Sequence, residues 1–220
     1  MPHSSKATAD FLSTRAGRMR RIFQIGFNKC GTRSISAFLS GNGIPTVHFK
    51  RGNLARALAS NLKNGYAPLN GIDQWVGYTD MQMISGSSII EGCRFFRQLA
   101  AYYPNSYFIL NTRDKDRWIK SRQKHGNGFY TERYRKGMKF ETIGQVLDHW
   151  SEEWDQHHAE VQEFFKNRPD KLLIYNIETD NPDRLVEFLA PDFETDPCYF
   201  GHEGKTSGSA SKDDTVGAAD

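Results

Sequence analysis

The segment that most restricts what this chain can fold into is Gly26-Phe27-Asn28-Lys29-Cys30-Gly31-Thr32-Arg33-Ser34. It follows an apolar run, Ile22, Phe23 and Ile25, that suits a short buried strand. It precedes Ile35, Phe38 and Leu39 at helical spacing, with Gly41 as a stop. A glycine-rich loop between a strand and a helix gathers backbone N–H groups and a helix N-terminus at one point, which favours a phosphate. Gly26 and Gly31 match the G-x-x-x-x-G of nucleoside triphosphate loops, but Thr32-Arg33 stands where Lys-Ser/Thr would follow. The lysine lies inside the loop as Lys29, and the adjacent Mg²⁺-binding hydroxyl is displaced. The loop therefore reads as one that binds phosphate without the usual metal arrangement. The competing reading is a tight turn whose glycines serve packing alone.

Strand and helix alternate along the rest of the chain. Residues 43–49 read as a second strand, 53–62 as a helix, and 72–79 as a third strand ended by Asp80. Residues 85–88 read as a helix entry and 89–103 as a helix with Cys93 on its apolar stripe. Residues 105–111 form a buried strand, 126–139 an aromatic and basic segment between helices, and 140–167 a long helix with Trp150 and Trp154 facing the core. A last strand, 171–177, precedes a helix over 182–189 that Pro182 opens. This order predicts an α/β fold in three layers, a mostly parallel sheet flanked by helices, with ligands beyond the carboxyl ends of the strands. His48, Lys50, Arg51 and Asp80 then share an edge with Lys29. The expected organisation is a flexible basic segment over 1–20, one domain over 21–206, and a disordered Gly/Ala/Ser/Asp-rich tail over 207–220.

A second constellation follows the 105–111 strand. Arg113 stands at the strand end, Asp114 or Asp116 suits the cap of the next helix, and Ser121 lies two turns into that helix. An arginine fork and a hydroxyl so placed can grip a phosphate monoester. The alternative is a solvated basic face, since Lys115, Arg117, Lys120 and Arg122 are also there.

Composition removes several function classes. The chain has 220 residues, 38% hydrophobic, enough for one sizeable core, and a net charge of +3 that suits a small anionic ligand without calling for nucleic acid. Three cysteines, Cys30, Cys93 and Cys198, lack metal-ligand spacing and suit a reducing, cytoplasmic setting. His157 and His158 are adjacent and face different ways, so they and His149 are not expected to hold a metal. No apolar run of about 18 residues is present, so no membrane span is expected. A Cys30 phosphatase would need arginine at position 36, which is Ser36. The sequence sets no oligomeric state.

Gly26-Phe27-Asn28-Lys29-Cys30-Gly31-Thr32 resembles the 5′-phosphosulfate loop of sulfotransferases that use 3′-phosphoadenosine 5′-phosphosulfate (PAPS), approximately G-x-x-(K/R)-(S/C)-G-T-(S/T). The chain departs at Arg33, with Ser34 next to it as the hydroxyl. Arg113 to Ser121 resembles the R-x(7)-S motif for the 3′-phosphate, in the order the family has it. The likeness extends, more thinly, from about residue 21 to 206. It implies that Asn28, Lys29, Cys30, Gly31, Thr32, Arg33, Ser34, Arg113, Ser121 and, from a loosely matching C-terminal loop, Lys205 contact PAPS. It further implies that Lys29 stabilises the charge left on the donor and that Asp80, or else His48, takes the proton of a hydroxyl acceptor, a carbohydrate or small molecule. Two readings remain beside it: a kinase-like phosphotransferase, which the missing Lys-Ser/Thr disfavours, and a non-catalytic binder of adenosine 3′,5′-bisphosphate.

Overall fold

The computed structural model describes residues 15–86 and 88–201. After a single helical turn, Arg15–Arg18, the chain enters β1, Ile22–Gln24. It continues through α1, Thr32–Gly41; β2, Thr46–His48; α2, Asn53–Lys63; and β3, Gly77–Thr79. A hairpin of β4, Gln82–Ser85, and β5, Ser88–Glu91, precedes α3, Phe96–Tyr102. Then come β6, Tyr107–Thr112; α4, Lys115–Lys124; α5, Phe129–Met138; α6, Ile143–Phe165; β7, Leu172–Asn176; and α7, Asp183–Leu189.

Five strands form one parallel sheet in the order β2-β3-β1-β6-β7. The chain runs outward from β1 to β2, returns through β3, and crosses to the other side at β6. β1 is thus the point where strand order reverses, and crevices for ligands open beyond the strand ends at such a point. The alternation along β1 and β6 builds both cores. Ile22, Tyr107 and Ile109 join Ile35, Phe38 and Leu39 of α1 and Leu185 and Leu189 of α7 on one face. Phe23, Phe108 and Leu110 join Leu54, Leu58, Leu99, Val161 and Phe165 on the other. These are the three layers that the alternating pattern predicts.

Local boundaries differ from the sequence reading in four places. The stretch expected to be helical from residue 85 is the β4–β5 hairpin, closed by Gly86 at φ 57° and followed by a 3₁₀ turn, so α3 begins only at Phe96. Ile89 and Ile90 fit helical spacing, but they are β-branched and pair with Ile84 and Met83. The third strand is three residues long because residues 72–76 wrap the buried Arg21 guanidinium, which donates to the Asp73 and Trp75 carbonyls. The second strand is likewise confined to Thr46–His48. The segment over 126–139 is mainly helical: α5 follows a left-handed turn at Gly126, Asn127 and Gly128. α6 starts with a capping box, in which Thr142 Oγ1 accepts from Gln145 N–H and Gln145 Oε1 from Thr142 N–H.

Candidate functional site

The carboxyl ends of β1, β2 and β3 converge, and backbone strain gathers there. Lys29 (φ 66°), Phe49 (φ 50°), Lys50 (φ 50°), Arg51 (φ 54°) and Asp80 (φ 52°) are all left-handed without being glycine. Such residues cost about 1–3 kcal/mol each and persist where surrounding structure fixes them, commonly at ligand sites. Gly31 (φ 72°) is the N-cap of α1 and no side chain caps that helix end. The N–H groups of its first turn are thereby left to face an anion.

The loop over 26–34 is held from below. Asn111, at the end of β6, is fully buried; its Nδ2 donates to Cys30 O (2.7 Å) and its Oδ1 accepts from Gly26 N–H (2.9 Å). A side chain at position 26 would put its Cβ 2.0 Å from Asn111 O, so this glycine is demanded by close approach. Asn28 is committed to the protein: Trp118 Nε1 donates to its carbonyl (2.9 Å) and Arg122 Nε to its Oδ1 (2.9 Å). The Cys30 thiol is fully buried, and burial pushes its pKa above the ordinary thiol range, which suits packing and not a nucleophile. Thr32 and Ser34 are buried in the first turn of α1, and Arg33 is exposed.

Two candidate proton acceptors meet at the neighbouring strand ends. His48 Nε2 lies 3.7 Å from Asp80 Oδ2. The Thr79 hydroxyl donates to Val47 O and therefore accepts from His48 Nδ1–H at 3.0 Å. That tautomer leaves the Nε2 lone pair toward Asp80. Burial, with Arg33 nearby, lowers the His48 pKa to about 4, so the ring is neutral at pH 7. Burial raises the Asp80 pKa to about 7; Glu91 adds to the rise, while Lys29 and Arg122 oppose it. Asp80 Oδ1 is buried and finds no hydrogen-bond partner among the described residues.

Arg122 belongs to this site although its sequence context reads as a solvated basic face. It is fully buried, ion-paired with Glu91, and ringed by Phe27, Trp118, Tyr130, Tyr134 and Trp150 at 4.9–5.6 Å. Burial opposes its charge, but Glu91 and the phenols outweigh that and keep it protonated. It thereby joins loop, hairpin and α5. His125, which ends α4, has its Nδ1 3.5 Å from Lys29 Nζ. No short motif marks Arg122, Glu91 or His125; only the position of Arg122 directly after Ser121 hints at its place.

The second predicted constellation is arranged differently from a simple fork and hydroxyl. Asp114 caps α4 by accepting from Arg117 N–H (2.9 Å). Arg113 is half-buried and its fork closes on Glu178 Oε1 (2.5 Å) and Lys29 O (3.2 Å). Ser121 is half-buried on the second turn of α4. Lys205 lies outside the described residues. His157 is buried with Nε2 2.7 Å from Ile25 O, and the described residues contain no His/Cys/Asp/Glu group able to hold a metal.

The sulfotransferase domain family model matches residues 21–154, well over half of the chain. That span runs from β1 through the first half of α6, including the loop, Asp80, Arg113 and Ser121; the edge strand β7 lies beyond it. Comparison with curated proteins gives no match.

Proposed function

The chain belongs to the sulfotransferase domain family, and from that premise we propose that it moves a sulfuryl group from PAPS to a hydroxyl of a carbohydrate or other small molecule. The observation that carries this reading is a mostly buried carboxyl, Asp80, with one unpartnered oxygen, inside the field of the loop lysine Lys29. The uncapped N-terminus of α1 and the left-handed turns at Lys29 and Gly31 fit a 5′-phosphosulfate, and no triphosphate-type Lys-Ser/Thr follows Gly31.

In this reading the backbone of residues 28–34, with Thr32, Arg33 and Ser34, holds the 5′ end of the donor. Arg113 and Ser121 hold its 3′-phosphate, and Lys205 belongs to the same set. When bound, PAPS supplies a sulfuryl group already joined to a good leaving group. Lys29 and the α1 N–H groups stabilise the negative charge that develops on the phosphate side. Asp80 accepts the acceptor's hydroxyl proton, and neutral His48 holds its lone pair toward that carboxyl. Free Cys30, Cys93 and Cys198 support a cytoplasmic setting.

Titration calorimetry of the full chain with adenosine 3′,5′-bisphosphate, and separately with ATP–Mg²⁺, tests the site. The expected result is preference for the bisphosphate, lost in Arg113→Ala, together with PAPS-dependent sulfation in an acceptor screen. Tighter binding of ATP–Mg²⁺, indifferent to Arg113, would overturn it in favour of a phosphotransferase.

A further inference from the structure

We propose that Gln24 and Asn111 are a positioning pair that ties the phosphate-binding loop to Asp80, so that donor site and proton acceptor keep one geometry. The role given to Asp80 rests on the function proposed above; the coupling itself does not.

Gln24 is the last residue of β1 and Asn111 the penultimate residue of the neighbouring β6, two positions beyond Gln24's register partner Ile109, and they are 1% and 0% exposed. Positions covered on both faces of a parallel sheet are ordinarily apolar, so two carboxamides there need a reason. Their bonds supply one. Asn111 Oδ1 accepts from Gln24 Nε2 at 2.5 Å and from Gly26 N–H at 2.9 Å, while its Nδ2 donates to Cys30 O. Gln24 Nε2 also reaches Gly26 O (3.2 Å), and Gln24 Oε1 accepts the Asp80 N–H at 2.9 Å. Donors and acceptors alternate along the whole path, so neither amide can be flipped: a flipped Gln24 would set its NH₂ against the Asp80 N–H. The path begins at Gly26 and Cys30 of the loop and finishes on a left-handed aspartate one residue past the end of β3. A buried chain of this kind with no partner missing rigidifies what it joins.

NMR-detected amide hydrogen exchange on the full chain without ligand tests the coupling. Gln24→Met, close in shape but without either polar atom, is expected to speed exchange of the Asp80 amide by about tenfold, the size of one lost buried hydrogen bond. Amides of Phe108 and Ile109 in the middle of β6 should keep their protection. Gln24→Glu retains an acceptor for the Asp80 N–H and should leave that amide within about threefold of wild type. An unchanged Asp80 rate in Gln24→Met, or equal acceleration in both variants and throughout β6, would overturn the proposal, the latter by showing general loosening. If Gln24→Met does not fold, Gln24→Glu decides: a protected Asp80 amide with weakened protection at Gly26 is expected, and loss at Asp80 overturns it. In turnover with PAPS, the expected signature is a lower kcat in Gln24→Met, a loss that disappears when the same substitution is made in an Asp80→Asn background. Multiplying losses would sink the link to catalysis, whereas absence of sulfation by wild type counts against the proposed function alone.

Discussion

Asp80 concentrates the proposed chemistry at the residue scale. Its carboxyl titrates near 7 because burial and Glu91 disfavour the anion more than Lys29 and Arg122 favour it. Turnover that needs the anion should therefore rise with pH through about 7 and level off above it, which a pH profile of kcat/KM will show. Asp80→Asn is expected to lower kcat by roughly 10²–10⁴, the usual contribution of a positioned base. The same substitution removes a carboxylate that folding must desolvate. At pH 8 it should therefore raise Tm in thermal unfolding, by about 2–4 °C for each kcal/mol regained.

At the element scale, a buried ion pair, Glu91 with Arg122, fastens the β4–β5 hairpin to α4. Arg122→Met strands Glu91 in the interior and should cost about 3–5 kcal/mol in urea unfolding. Adding Glu91→Leu should restore most of that stability, yet not the bisphosphate affinity, because Asn28 still lacks the donor that holds its side chain. The turn after β7 carries a second, competing contact. Glu178 accepts from the Asp114 N–H and from Arg113, bonds that hold it charged below the ordinary carboxylate range although burial opposes them. A phosphate on Arg113 must displace that carboxylate. Glu178→Gln is therefore expected to tighten bisphosphate binding by about 3–10-fold in calorimetry, and a weaker complex would mean that Glu178 instead orients the fork.

Across the whole molecule, groups buried neutral set the response to acid. His157 and His48 have folded values of about 3 and 4, below the ordinary 6.5, so their contribution to stability is present above 6.5 and lost as pH falls. Asp80 has the opposite sign: raised from 3.8 to about 7, it favours the fold at low pH and loses that contribution as pH rises through the interval. The two effects offset each other between pH 5 and 7. Urea midpoints at pH 8, 6.5 and 5 should thus fall more steeply for Asp80→Asn than for wild type, and parallel curves would contradict the opposed signs.

The architecture was legible in the sequence because its signals are local. Apolar runs in Ile22–Gln24 and Tyr107–Thr112, helical spacing in α1 and α6, and the positive φ of Gly31 are signals that need no distant partner. Lys29, Asp80 and His48 could be named as edge residues for the same reason, since strand ends in a parallel sheet fall on one side. What the sequence could not give was the pairing across that edge. Ile89 and Ile90 satisfy a helix stripe and a strand equally, and only Met83 and Ile84 opposite them decide. Arg122 looks like its exposed basic neighbours until five aromatic rings and Glu91 close around it, and Gln24 and Asn111 look like polar strand ends until they bond to one another. Periodicity fixes which way a side chain leaves its own backbone; which partner it meets depends on strand order, and that arises only when the sheet assembles.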